Sequence, residues 1–166
     1  MSPALAADEA GYNEVPSLAR EAVVGSLALL VLGLVAYGAT LGFHVGNLHN
    51  ALLALTFAGV GLYVLRARPG HLVGQLFVAQ GVAAALMYFG RQAGLHSPPL
   101  PGAAWLAWVS IWLVPLVMAA GGVAVMVFPT GRHLSQRWRA ASYVMVALAT
   151  VISLASALWP LSLIHI

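Results

Sequence analysis

Five long runs without a charged side chain leave this chain few ways to fold: residues 22–43, 48–65, 72–89, 103–128 and 140–159. At about 1.5 Å of rise per helical residue, each run reaches or nearly reaches across a hydrocarbon core of roughly 30 Å. Lipid offers the backbone no hydrogen-bonding partner, so a segment crossing it must satisfy its own amides. The sequence therefore predicts an all-α, polytopic transmembrane helix bundle of five spans. Composition leads the same way: 61% of residues are hydrophobic and 7% are charged, against roughly 25% charged in soluble domains. Mean hydropathy is +0.93. A chain with so little polar surface could not cover a bundle of this size in water.

The punctuation between the runs is informative. Residues 1–21 form a short tail holding all four acids, Asp8, Glu9, Glu14 and Glu21, with Arg20 as its one base. That is the wrong sign for the cationic start of a secretory signal. Ser17 is placed to cap a helix there. A neutral polar connection, Phe43 to Asn50, separates the first two runs. The second ends on Arg66-Ala67-Arg68-Pro69-Gly70-His71, where proline and glycine break a helix. After the third comes Arg91 to Gly102, a stretch with Pro98, Pro99 and Pro101 that reads as a loop. The fourth run is the longest, which predicts tilt or an interfacial first turn. The basic break Phe128-Pro129-Thr130-Gly131-Arg132-His133-Leu134-Ser135-Gln136-Arg137-Trp138-Arg139 then leads into the fifth.

Arginine placement sets an expected orientation, because short loops rich in Lys and Arg stay in the cytoplasm. With the N-terminus cytoplasmic, Arg20, Arg66, Arg68, Arg132, Arg137 and Arg139 lie inside and Arg91 alone lies outside. Tyr37, Tyr88, Trp105 and Trp159 then fall near the outer interface, and Tyr63 and Trp138 near the inner one, as aromatic belts require.

Candidate sites are few. Zero cysteines exclude disulfides, thiolate metal sites and cysteine nucleophiles. The arginines are spread over loops rather than gathered on one face, so they read as topology signals and not as a nucleic-acid surface. His44 and His49 lack carboxylate company, and a solvated or capping role outweighs metal or haem ligation. His71 and His133 stand beside arginines in the inner loops; imidazole titrates near neutrality, but loop histidines seldom act as switches. Gln75 and Gln80 lie inside the third span, where neutral amides seek interhelical partners at roughly 0.5–2 kcal/mol per bond. Helix-to-helix bonding is the leading reading for both, and a ligand site the alternative. Trp105, Trp108 and Trp112 recur at helical spacing as interfacial anchors or, less plainly, an aromatic cage. Gly38, Gly42 and Gly46 suit a flexible turn better than a small-residue groove, whereas Gly59-Val60-Gly61 and Gly121-Gly122 mark close helix approach. No catalytic set, metal cluster, phosphate-cradling loop or cofactor motif is present.

Two blocks carry a family resemblance. Val64-Leu65-Arg66-Ala67-Arg68-Pro69-Gly70-His71-Leu72-Val73-Gly74 is similar to an "R-x-P … I-G-W" junction of actinobacterial membrane proteins. Pro101-Gly102-Ala103-Ala104-Trp105-Leu106-Ala107-Trp108, with Phe128-Pro129-Thr130-Gly131-Arg132 and Ser135-Gln136-Arg137-Trp138-Arg139, resembles the "P-G-x-x-W-x-A-W" and "F-P-D-G-R-x-x-S-x-R-W-R" blocks of the same group. Those proteins are the multi-pass N-terminal sensor domains of actinobacterial sensor histidine kinases. The likeness runs over about residues 55–140. Thr130 stands where the family has Asp, and Gln75 where it has Trp, so neither side chain's role carries over. What does carry over is topological: Arg66, Arg68, Arg132, Arg137 and Arg139 hold loops in the cytoplasm, and Trp138 anchors the next helix.

The resemblance implies a signal-sensing input domain of a two-component system in the bacterial plasma membrane, with the lipid bilayer as solvent. It further implies a homodimer in the intact protein and a response regulator reached through a kinase core. Leu161-Ser162-Leu163-Ile164-His165-Ile166 resembles the translated transposase adapter of sequencing libraries, so native sequence is expected to end near Pro160, with a sixth span and the kinase core missing. Two other readings stay open: a small transporter or permease subunit, and the same membrane module joined to another output domain such as a nucleotide cyclase. Against the transporter, no span carries Asp, Glu, Lys or Arg.

Overall fold

A computed structural model describes residues 18–158, and no strand occurs among them. The order is α1 (Leu18–Thr40), a 3₁₀ turn (Val45–Asn47), α2 (Leu48–Ala67), α3 (Leu72–Leu95), α4 (Ala103–Trp112), α5 (Val114–Val127) and α6 (Gln136–Leu158). Among the described residues five segments are long and apolar enough to cross a membrane, with α4 and α5 together making the fourth. The chain is an all-α membrane protein. Tail residues 1–17 and the adapter-like end, with the capping expected of Ser17, lie outside the described residues.

Several boundaries differ from the expectations, each for a local reason. The third helix continues past residue 89 to Leu95, so Arg91 and Gln92 are helical. Nothing before Pro98 breaks it, and Gly90 and Gly94 are accommodated because α4 packs against them: a Cβ at Gly94 would sit 2.8 Å from that of Ala107. The fourth span is not one helix. Pro115 lies in the first turn of α5 and has no N–H for the Ile111 carbonyl, so the helix breaks at Leu113 and restarts. The last helix begins at Gln136, which puts Arg137, Trp138 and Arg139 in its first turn rather than in the loop. The first helix spans residues 18–40 rather than 22–43, and Gly42 and Gly46 fall beyond its end as a turn.

Successive spans alternate in direction. One end of the bundle therefore gathers Arg20, Arg66, Arg68, Arg132, Arg137 and Arg139, and the opposite end carries Arg91. At this basic end α1 and α2 are joined by an ion pair: Arg66 Nε donates to both Glu21 carboxylate oxygens at 3.0 and 3.2 Å, and Nη2 donates to Oε2. The pair is open to solvent, with 61% of the Arg66 side chain exposed. Glu21→Gln is thus expected to leave heat stability in detergent unchanged, as measured by the fraction remaining monodisperse after heating.

The core lies around α3, which packs on α1, α2, α4 and α5, most extensively on α2. Lipid tails are as apolar as leucine, so apolar burial does not drive these helices together; close van der Waals contact does, and small residues permit it. Ala51, Ala54, Ala58 and Gly61 recur on one face of α2, facing Gly74, Val78, Gly81 and Ala85 of α3. Ala54 and Ala85 are wholly buried. A Cβ on Gly61 would lie 2.6 Å from the Val78 amide nitrogen, and one on Gly81 2.5 Å from that of Ala58. The backbones are as close as glycine allows. Gly61 and Gly121-Gly122 thus sit at close contacts as expected, whereas Gly59 faces open space.

Candidate functional site

The densest polar cluster lies at the end opposite the arginine-rich loops, where the α1–α2 connection crosses the last turns of α3. Gln92 is its hub, a side chain in the loop on sequence grounds but 1% exposed here. Its Nε2 donates to the Gly42 carbonyl at 2.6 Å and to the Tyr88 hydroxyl at 3.4 Å. Its Oε1 accepts from His44 Nδ1 at 2.9 Å and from Asn47 Nδ2 at 3.4 Å. Asn47, also buried, donates to the Tyr88 carbonyl at 2.9 Å and accepts from Asn50 Nδ2 at 2.9 Å. His96 Nδ1 donates to the Leu41 carbonyl at 2.8 Å.

Helix geometry assembles this knot. Tyr88 and Gln92 are four residues apart, so both sit on one α3 face; Asn47 and Asn50 straddle the start of α2. The acceptors facing both imidazoles are amide or peptide oxygens, so His44 and His96 each carry a proton on Nδ1. Of the solvated or capping role expected, His44 takes the N-cap position of the 3₁₀ turn through its backbone carbonyl while its side chain bonds Gln92, and His49 is exposed. The bonds of the knot run among side-chain amides, peptide carbonyls, the Tyr88 hydroxyl and two imidazoles, an arrangement that fixes loop geometry.

The two glutamines proposed for intramembrane contacts part company. Gln80 is 5% exposed and its Nε2 donates to the Val117 carbonyl of α5 at 3.2 Å, an interhelical bond as expected. Gly121 makes room for it, since a Cβ there would lie 2.7 Å from Nε2. Its Oε1 is buried without a partner. Gln75 is exposed one turn into α3, and the interhelical bond expected of it is not made among the described residues. Gln75→Leu is accordingly expected to change stability by less than about 0.5 kcal/mol, measured by thermal unfolding in detergent.

The tryptophan stripe runs along α4 as successive edge-to-face pairs, Trp105–Trp108 at 5.7 Å and Trp108–Trp112 at 5.9 Å. Trp108 Nε1 donates to the Ala157 carbonyl at 3.2 Å and ties α4 to α6; Trp105 is 62% exposed. Three rings in file on one helix enclose no space, so they form no cage.

At the basic end the two sequence blocks meet. His71, at the start of α3, packs against Gly131: a Cβ there would lie 3.4 Å from the imidazole. Gly131 adopts φ +74°, a left-handed turn that glycine tolerates, and its N–H bonds the Val127 carbonyl at 2.8 Å to close α5. Thr130 Oγ1 accepts the Arg132 N–H at 3.3 Å, so the hydroxyl makes the loop's local turn bond. His133 Nε2 donates to Ser142 Oγ at 2.9 Å, and Ser142 in turn donates to the Trp138 carbonyl at 3.1 Å. His133 is thus bonded into the start of α6, whereas His71 packs on Gly131 with its Nδ1 buried and without a hydrogen-bond partner. Arg68, Arg132, Arg137 and Arg139 extend from the same end, with Trp138 48% exposed between them.

Sequence reasoning missed Asn47, Asn50, Gln92 and His96. The available signal was the absence of a breaker between Phe89 and Ser97, which allows α3 an extra turn and places Gln92 four residues from Tyr88. Taken together, the fold and its ends define an all-α membrane protein with five spans among the described residues, one end rich in arginine and the other built around the Gln92 cluster with Arg91 as its one arginine. Comparison with protein-family profiles, with curated proteins and with solved structures finds no match.

Proposed function

We propose that the chain is the membrane-embedded, signal-sensing input domain of a two-component sensor histidine kinase, oriented with the basic end and N-terminus in the cytoplasm of a bacterial cell. The observation that carries this reading is the meeting of His71 with Gly131. It brings together the two arginine-bearing blocks that resemble those sensor domains, His71 and Gly131 being separated in sequence by two entire spans. Their shared role is to hold the helix ends that would transmit a displacement into the cytoplasm. At the far end, the Gln92 knot couples the α1–α2 connection to α3, the helix that touches most others. A stimulus that shifts this connection would move α3, and through α3 the basic end. In the intact protein that movement would bias a cytoplasmic coiled coil of a homodimer, and phosphoryl transfer to a response regulator would follow.

The test is to read the source genome past the codon for Pro160. A further span followed by a phospho-acceptor helix and an ATP-binding domain is expected. A stop codon in that position, or a run of additional spans, would overturn the proposal in favour of a standalone membrane protein or transporter. In the full-length parent, Gln80→Leu would then be assayed for signal-dependent autophosphorylation; an unchanged response removes Gln80 from the transmission route.

A further inference from the structure

An apolar groove of about 560 Å³ runs along the α5–α6 pair, with Pro115 and Met118 on one wall and Ala141, Val144, Leu148 and Ile152 on the other. On α6 these positions recur at helical spacing, and extending the series one turn back reaches Arg137. Side chains in a helix lean toward its N-terminus, so Arg137 leans out of the groove's foot toward the membrane surface. Trp138, the neighbouring residue, is half-exposed at the same level. From Ala141 to Ile152 the groove is roughly 16 Å deep at 1.5 Å per residue, about one leaflet of a ~30 Å hydrocarbon core.

Charge narrows the occupant. No Asp or Glu follows Glu21 in the chain, and the Glu21 carboxylate is engaged by Arg66. Arg132 and Arg139 stand close by, lining a second, polar recess of about 420 Å³ with His133 at the start of α6. A second copy docking symmetrically on this face would bring its own Arg137 to the same foot, like charge against like. An anionic lipid brings a chain for the groove and a phosphate for the guanidinium, which bonds phosphate in a forked geometry.

We propose that the α5–α6 groove and Arg137 form a site for one anionic phospholipid, its acyl chain between the helices and its phosphodiester at Arg137. The assignment is independent of the signalling reading and requires only the membrane fold. The test is native mass spectrometry of the full chain in detergent, titrated with phosphatidylglycerol or phosphatidylcholine. One phosphatidylglycerol is expected to be retained in preference to phosphatidylcholine. Arg137→Gln, at an exposed position, should weaken phosphatidylglycerol binding about fivefold and leave phosphatidylcholine unchanged. Ala141→Trp should fill the groove and remove the retained lipid, whereas Arg68→Gln, at the same end but away from the groove, should not alter it. Equal retention of both lipids, phosphatidylglycerol binding unmoved by Arg137→Gln, or a lipid-free dimer that Ala141→Trp dissociates would each overturn the assignment.

Discussion

Gly81→Val is expected to disrupt the α2–α3 interface and to yield little heat-stable protein. The reason is the identity of what lies opposite. A Cβ on residue 81 would meet the amide nitrogen, Cα and Cβ of Ala58 at 2.5, 2.8 and 2.7 Å. Backbone cannot rotate away as a long side chain can, so relief requires the two helices to move apart along their length. Doing so would open the contacts that hold them, including the wholly buried Ala54 and Ala85. Overpacking typically costs about 1–3 kcal/mol, and a fixed backbone neighbour puts this site at or beyond the upper figure. Gly59→Val is the matched control, because nothing lies within 4 Å of a Cβ there. The measurement is the temperature at which half of each purified variant loses its monodisperse peak on size-exclusion chromatography. Equal temperatures for the two variants would sink the idea that close approach at Gly81 holds the bundle.

Much of the architecture was legible because the bilayer imposes a length. Runs of uncharged residues bounded by Arg66-Ala67-Arg68-Pro69-Gly70 and by Phe128-Pro129-Thr130-Gly131-Arg132 can be counted, and five spans follow. The inward faces could not be counted in the same way. Each helix is apolar all round, since lipid and protein interior are alike to a leucine, so no polar stripe announces the face that packs. Only small residues carry that signal, and it is ambiguous: Gly61 and Gly59 look alike in sequence, yet one meets Val78 and the other meets nothing. Pro115 is a different case. Its effect on a helix is predictable, but a long apolar run masks it, since a broken span and a tilted one have the same composition. The candidate site was hardest to see. Gln92 and Asn47 read as polar residues of loops, and only the packing of the α1–α2 connection over α3 converts them into a buried network.

Gln92→Leu is expected to destabilise the protein by about 2–3 kcal/mol, taking four hydrogen bonds at roughly 0.6 kcal/mol each within a membrane protein. Leucine nearly matches the volume, so the loss is one of bonding rather than of packing. The partners left behind are not equivalent. Asn47 keeps its bond to the Tyr88 carbonyl and its acceptor role toward Asn50. The Gly42 carbonyl and the His44 imidazole lose their contacts to Gln92. The consequence is local: the segment from Leu41 to Val45 should loosen while the basic end is unaffected. Amide hydrogen exchange in detergent reads this directly, with faster exchange predicted for the connection and unchanged exchange across the start of α6. Gln92→Glu separates the two halves of the hub. Its carboxylate still accepts from His44 and Asn47 but presents an oxygen, not an N–H, to the Gly42 carbonyl, so the connection should loosen at Gly42 and stay tethered at His44. Uniform exchange rates across the wild type and both variants would mean that the knot is ornamental to the fold and that the α1–α2 connection is held by apolar packing alone.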